Sequence, residues 1–274
     1  MSILTYTNPK HFIIFGLDII KLRNYIFDFA KNDFKQKYVG SYFGIFWAFF
    51  QPLMNILVIW FVFSMGFKSG ASDKVPFILW FIAGYVPWVF FTEVVFTSSL
   101  SIVEYSYIVK KIVFRISILP IIKIVSGLFI HLFFIAFLFF IYYLYGFYPH
   151  LYNFQLLYYM VALCFFILGL SFLTSSIVPF FKDFSQLINI VLQMGFWFTP
   201  IVWSYTNLSG NALLIIKLNP MFYIIEGYRN SMIDNIMFWE KPEQTIYFWI
   251  ITILLWIIGS IFFRKLKPHF ADVL

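Results

Sequence analysis

LPIIKIVSGLFIHLFFIAFLFFIYYLYG, residues 119–146, decides the fold class. From Ile124 to Gly146 it carries no Asp, Glu, Lys or Arg. A helix crosses the hydrocarbon core of a bilayer with about 20 apolar residues, and this stretch has the length and character to do so. Five further stretches qualify: 42–66, 76–101, 154–178, 186–203 and 244–263. The composition agrees, with 62% apolar residues, 11% charged residues and a mean hydropathy of +0.87. Soluble domains are nearer half apolar and a quarter charged, so lipid must solvate much of this surface. The expectation is a single all-α transmembrane domain over 1–274 with six transmembrane helices.

Proline and charge refine that picture. Pro76 and Pro120 fall near span starts, where a missing N–H costs little, whereas Pro52, Pro87 and Pro200 lie inside spans and predict kinks. Pro179 closes the fourth span. With the N-terminus inside, Lys10, Lys21, Arg23, Lys31, Lys35, Lys37, Lys110, Lys111, Arg115, Lys123, Lys182, Arg264, Lys265 and Lys267 share one side. Only Lys68, Lys74, Lys217, Arg229 and Lys241 fall on the other, so the bias of basic residues places both termini in the cytoplasm. Residues 1–41 carry six Lys/Arg and lack a small-residue cleavage site, unlike a secretory signal. The lone Cys164 excludes an internal disulfide.

Two segments are not expected to span. In 18–38, Ile19, Leu22, Ile26, Phe29 and Phe34 form one helical stripe, with Lys21, Asp28, Lys31, Asn32 and Lys35 largely off it. That pattern predicts an amphipathic helix in the membrane interface. Residues 204–243 are too apolar for a solvated loop and too charged to cross, with Lys217, Glu226 and Arg229, and Asn219-Pro220 breaks them. Short re-entrant helices that dip into the outer leaflet fit best, placed where they would cover a pore mouth.

The chain lacks a phosphate loop, a Cys/His cluster at metal spacing and a nucleophile elbow. Glu93 lies within the second span, about eight residues or ~12 Å from its inner end. It reads either as a polar contact on a transport path or subunit interface, or as a protonated carboxyl bonded within the bundle. His131, in the third span, reads as a bundle-facing structural group. Glu226 and Arg229 are spaced to pair on one turn. The high aromatic content (40 Phe, 18 Tyr, 9 Trp) has two readings: ring faces lining a sugar conduit, or the codon bias of an AT-rich genome, which the shortage of Arg against Lys favours.

Four motifs in order resemble the permease subunit of bacterial ABC exporters for O-antigen, capsule and wall teichoic acid. KNDFKQKYVG (31–40) runs into SYFGIFWAFFQPL (41–53), similar to that family's interface helix and aromatic first span. VKKIVFRISILP (109–120) resembles its basic loop, with Phe114 where many members have proline. FWFTPIVW (196–203) and LNPMFYIIEGYR (218–229) resemble its fifth span and gate helices, and FRKLKPHFADVL (263–274) is similar to the O-antigen branch. The resemblance implies a homodimer above two separate ATPase subunits that bind ATP and Mg, with no cofactor in this chain and no nucleic acid. It implies an undecaprenyl-pyrophosphate-linked polysaccharide, O-antigen first, carried from the cytoplasm across the bacterial inner membrane. It places a substrate path at Tyr42, Phe46, Trp47, Gln51, Glu93, Phe196 and Trp197, and a gate at Glu226 and Arg229. ATPase coupling falls on Lys31, Asp33 and Lys35 of the interface helix and on Lys110, Lys111 and Arg115 of the loop. Two rival classes stay open: an ion-coupled lipid flippase, which would need intramembrane ionisable groups such as Glu93 and His131, and a membrane glycan-processing enzyme.

Overall fold

The computed structural model describes residues 19–66, 75–110, 115–206 and 208–274. Expectations that rest on Lys10, His11, Lys68, Lys74 and Lys111 lie outside the described residues. Every regular element among those described is helical. The first, α1 (Arg23–Gln36), is followed by α2 (Phe46–Phe61), α3 (Phe77–Glu104), α4 (Leu119–Leu144) and α5 (Gln155–Ile177). After them come α6 (Phe184–Phe198), α7 (Gly210–Lys217), α8 (Pro220–Arg229) and α9 (Pro242–Leu266).

Five segments have the length and apolar character to cross a membrane: Phe46–Gly66, Phe77–Glu104, Ile116–Leu144, Leu151–Ile177 and Pro242–Val273. The stretch expected at 186–203 forms a shorter apolar helix, α6, of 15 residues. At 1.5 Å per residue it covers ~22 Å, less than the ~30 Å hydrocarbon core. Its end has a local cause. Pro200 disfavours helical geometry at the residue before it, and Thr199 is extended (φ −91°, ψ 135°). Pro200 therefore stops a helix where a kink was expected, whereas Pro52 and Pro87 stay inside α2 and α3.

The spans are unequal in burial, and that decides which of them form the core. In α3, 83% of the most apolar window is buried; in α2 the share is 11% and in the last span 22%. Helix α3 is the axis, packed by α4, α5 and α8, while α9 leans on α5. Two glycines set the closeness of that last pair. A Cβ on Gly259 would lie 2.6 Å from the Gly169 carbonyl oxygen. Small residues of this kind let membrane helices approach backbone to backbone. Gly259→Val should therefore cost about 1–3 kcal/mol through overpacking, read as a lowered unfolding midpoint in detergent. An unchanged midpoint would mean that the contact has slack.

Of the expected stripe, Ile26 is buried and Ile19, Leu22, Phe29 and Phe34 are half-buried. Ile26 and Ala30 pack with Ile102, Leu119, Ile122 and Phe270 in a second core at the Lys/Arg-rich end of the bundle. The apolar face of α1 thus sits on protein, chiefly α4. Helix α8 is buried at every residue from Met221 to Arg229. Asn219 caps it by accepting from the Met221 N–H at 3.0 Å, and Pro220 opens it. A π-helical turn, Asn230–Asp234, follows and ends at Asn235, which takes a left-handed conformation (φ 56°).

Candidate functional site

A groove of about 770 Å³ lies between α2, α3 and α6. Helix α2 contributes Trp47, Gln51 and Asn55; α3 contributes Tyr85, Trp88, Thr92 and Glu93; α6 contributes Asn189, Gln193, Phe196 and Trp197. Of the seven residues expected on a substrate path, Trp47, Gln51, Glu93, Phe196 and Trp197 line it. Tyr42 and Phe46 do not; their side chains are exposed, Tyr42 almost fully at 96%.

The groove's polar side chains were only partly anticipated. Asn55, Thr92, Asn189 and Gln193 join Gln51 and Glu93 on its walls. Polar groups within apolar helices are costly unless they face protein or water, so their convergence on one cavity is informative. The missed signal was spacing. Gln51 and Asn55 are four apart on α2, as are Asn189 and Gln193 on α6, so each pair shares a helix face. The Gln193 amide reaches Asn189 Oδ1 at 3.4 Å.

Glu93 has a cationic partner, the Lys37 ammonium from the turn after α1. Helix α3 continues to Glu104, eleven residues beyond Glu93, so the carboxyl sits ~16 Å from the helix end. The chain leaving α1 nonetheless reaches it. Neighbouring Tyr38 also lines the groove. Burial, and then the Glu93 charge, push its phenol up to about 12, so it remains a donor at neutral pH.

Above the groove, the expected pair of Glu226 and Arg229 forms at 2.8 Å and is buried. The guanidinium does more than pair. Its Nη1 also donates to the Pro200 carbonyl at 2.8 Å, Nη2 to the Ile201 carbonyl at 3.1 Å and Nε to the Trp80 carbonyl at 3.4 Å. It lies 3.4 Å over the Trp80 ring. Pro200 ends α6, and Arg229 satisfies carbonyls just beyond that end. The Tyr205 hydroxyl donates to the other Glu226 oxygen at 2.8 Å. Burial, and then the Glu226 charge, raise the Tyr205 pKa. Asn219 donates to Thr199 Oγ1 at 2.8 Å, a second tie between α8 and the end of α6. On α3, a Cβ at Gly84 would meet Arg229 Nη2 at 2.8 Å, so glycine there makes room for the guanidinium.

At the Lys/Arg-rich end, Asp33, expected in ATPase coupling, is turned into the bundle, its side chain 8% exposed. It accepts from Lys123 Nζ at 2.7 Å and from the Tyr105 hydroxyl. Lys123 also meets Glu104 at 2.7 Å, joining α1, α3 and α4. Asp33 falls on the same stripe as Ile26 and Ala30, which turns it inward. Lys31 and Lys35 are exposed on the other face of α1, as are Lys110 and Arg115 at the ends of the loop; Lys111 lies outside the described residues.

His131 is buried between α4 and α8, its Nε2 2.9 Å from the Tyr228 hydroxyl and its ring stacked on Phe90 at 4.5 Å. That is the bundle-facing histidine expected. Among the described residues, no group of three or more His, Cys, Asp or Glu side chains could hold a metal ion.

Comparison with known families places this arrangement. The profile of the ABC-2 type transporter family matches residues 27–233. The chain belongs to the ABC-2 type transporter family. The match takes in α2 through α8, and hence the whole groove and the Arg229 cluster. It stops before α9, which lies outside the shared core. Over its length this ABC-2 chain is 27% identical to an O-antigen export system permease protein RfbA of Klebsiella pneumoniae, covering 91% of this chain and 96% of the relative. It is 25% identical to a second Klebsiella pneumoniae protein of that name, with the same coverage. It is 22% identical to an O-antigen export system permease protein RfbA of Myxococcus xanthus, covering 93% of this chain and 97% of that one. Family and apolar helices together make it a multi-pass inner-membrane transporter chain.

Proposed function

We propose that this chain is the transmembrane subunit of an ATP-driven exporter that moves an undecaprenyl-linked polysaccharide, O-antigen foremost, across the inner membrane. ATP hydrolysis resides in a separate ABC ATPase, and two copies of this chain form the conduit. Capsule or teichoic acid permeases of the same family are the nearest alternative cargo. The carrying observation is the groove, in which indole and phenyl faces alternate with amides. Aromatic faces take the C–H side of a sugar, and amides take its hydroxyls. Its α2 wall belongs to the least buried span, which leaves that helix available to a second copy.

In this reading α6 and the chain through Trp203 make a sixth, short crossing. The Lys/Arg-rich end faces the cytoplasm, and α7 and α8 form a re-entrant cover on the outer side, closed by Glu226 and Arg229. The exposed Lys31, Lys35, Lys110 and Arg115 present the ATPase-docking face.

Ion-coupled transport has less support. Glu93 already has Lys37 as counter-charge, and His131 is engaged by Tyr228.

The test is reconstitution with the ATPase in liposomes carrying lipid-linked glycan. Export should require ATP, and Asn55→Leu with Gln193→Leu should lower it at least tenfold while ATPase binding persists. Export driven by an ion gradient without nucleotide would refute the reading.

A further inference from the structure

At the Lys/Arg-rich end, apart from the groove, lies a smaller cavity of about 160 Å³. Ser117 from the start of the third span and Phe172 from α5 line one side; Trp256, Ser260, Arg264 and Lys267 line the other. The last four recur every three or four residues, so they form one stripe along α9 and just past its end. Down that stripe the chemistry changes in order: indole, hydroxyl, guanidinium, ammonium. From Trp256 to Lys267 it covers ~16 Å at the helical rise. The apolar end is fixed in place. Trp256 Nε1–H donates to the Phe165 carbonyl at 2.8 Å, so the indole donor is spent, and its ring meets Phe172 edge-on at 6.0 Å.

An apolar floor that grades through hydroxyls into two cations, on a helix whose neighbouring Ile257, Ile258 and Phe262 are exposed, matches the polarity profile of a lipid. We propose that this cavity binds one anionic glycerophospholipid. Its phosphate sits between Arg264 and Lys267, its glycerol ester oxygens lie near the Ser117 and Ser260 hydroxyls, and an acyl chain lies over Trp256 and Phe172. A guanidinium and an ammonium together hold a phosphodiester by charge-assisted hydrogen bonds. Basic side chains at a membrane surface also draw anionic lipid from the bilayer. The site clasps three elements, the start of the third span, α5 and α9, of which α9 lies outside the family-matched region.

Native mass spectrometry of the full chain in detergent tests this, with phosphatidylglycerol titrated against phosphatidylcholine, inorganic phosphate and undecaprenyl phosphate. The expected result is one phosphatidylglycerol per chain, held at least tenfold more tightly than phosphatidylcholine and not displaced by inorganic phosphate. Arg264→Gln with Lys267→Gln should weaken it at least tenfold. Lys265→Gln, exposed and outside the cavity lining, should leave it unchanged. Equal retention of phosphatidylcholine by the unaltered chain overturns the proposal without reliance on any variant's folding. So does an equal loss in Lys265→Gln, which would mean general surface charge. Displacement by inorganic phosphate overturns it as a lipid site, and preferential binding of undecaprenyl phosphate overturns it in favour of a cargo site.

Discussion

Replacing Arg229 with leucine should cost this protein about 3–5 kcal/mol, the typical penalty for breaking a buried ion pair by removing one partner. The side chain is 2% exposed and donates to three carbonyls and one carboxylate. Leucine would strand the carbonyls of Pro200 and Ile201 and leave the Glu226 charge with Tyr205 alone. Lysine is no remedy, because one ammonium cannot reproduce a fork that reaches two sides at once. The double variant Glu226→Gln, Arg229→Met should recover part of the loss, since it removes the uncompensated charge. Gly84→Ala approaches the same cluster from α3 and should also destabilise, by crowding the guanidinium. Equilibrium unfolding in mixed micelles measures all four; a leucine variant within 1 kcal/mol of the unaltered protein would show that water or lipid replaces Arg229 at no cost.

The second large effect is local. Lys123→Met should release α1 from the bundle, because Asp33 would then be a buried carboxylate with only Tyr105 as donor. The expected penalty is again about 3–5 kcal/mol, but the helix can respond by detaching while the rest of the fold stays intact. Hydrogen exchange reads this directly. Amides of residues 26–36 should lose protection, while those of α3 and α5 keep theirs. Asp33→Asn with Lys123→Met should restore much of the protection. Exchange in α1 that is indifferent to Lys123 would show that Ile26 and Ala30 suffice to hold it. In the exporter reading, the single variant should also abolish ATP-driven transport, since the exposed Lys31 and Lys35 ride on the same helix.

These two clusters show how far local pattern reaches. The pairing of Glu226 with Arg229 was legible because three residues apart on a helix means one turn. The Pro200 and Ile201 carbonyls were not, because they belong to a break some 28 residues upstream. The burial of Asp33 was hidden for a related reason. The resemblance named it for coupling alone, yet its position on the helix put it with Ile26 and Ala30, where Lys123 reaches it from α4. For the groove, the family resemblance pointed to Trp47, Phe196 and Trp197, while the amides of Asn55, Asn189 and Gln193 went unnoticed.

By itself, the sequence determined the solvent of each segment. Runs of about 20 apolar residues have to lie in lipid, basic residues gather at one end, and an amphipathic stripe before the first span has to bury its apolar face. Only the tertiary structure decided which helix is the axis, where α6 stops, and which polar groups converge on one cavity. The physical reason is that lipid and protein interior are almost equally apolar. A Phe-rich helix face therefore reads the same whether it meets an acyl chain or another helix, and chain-distant partners tell them apart.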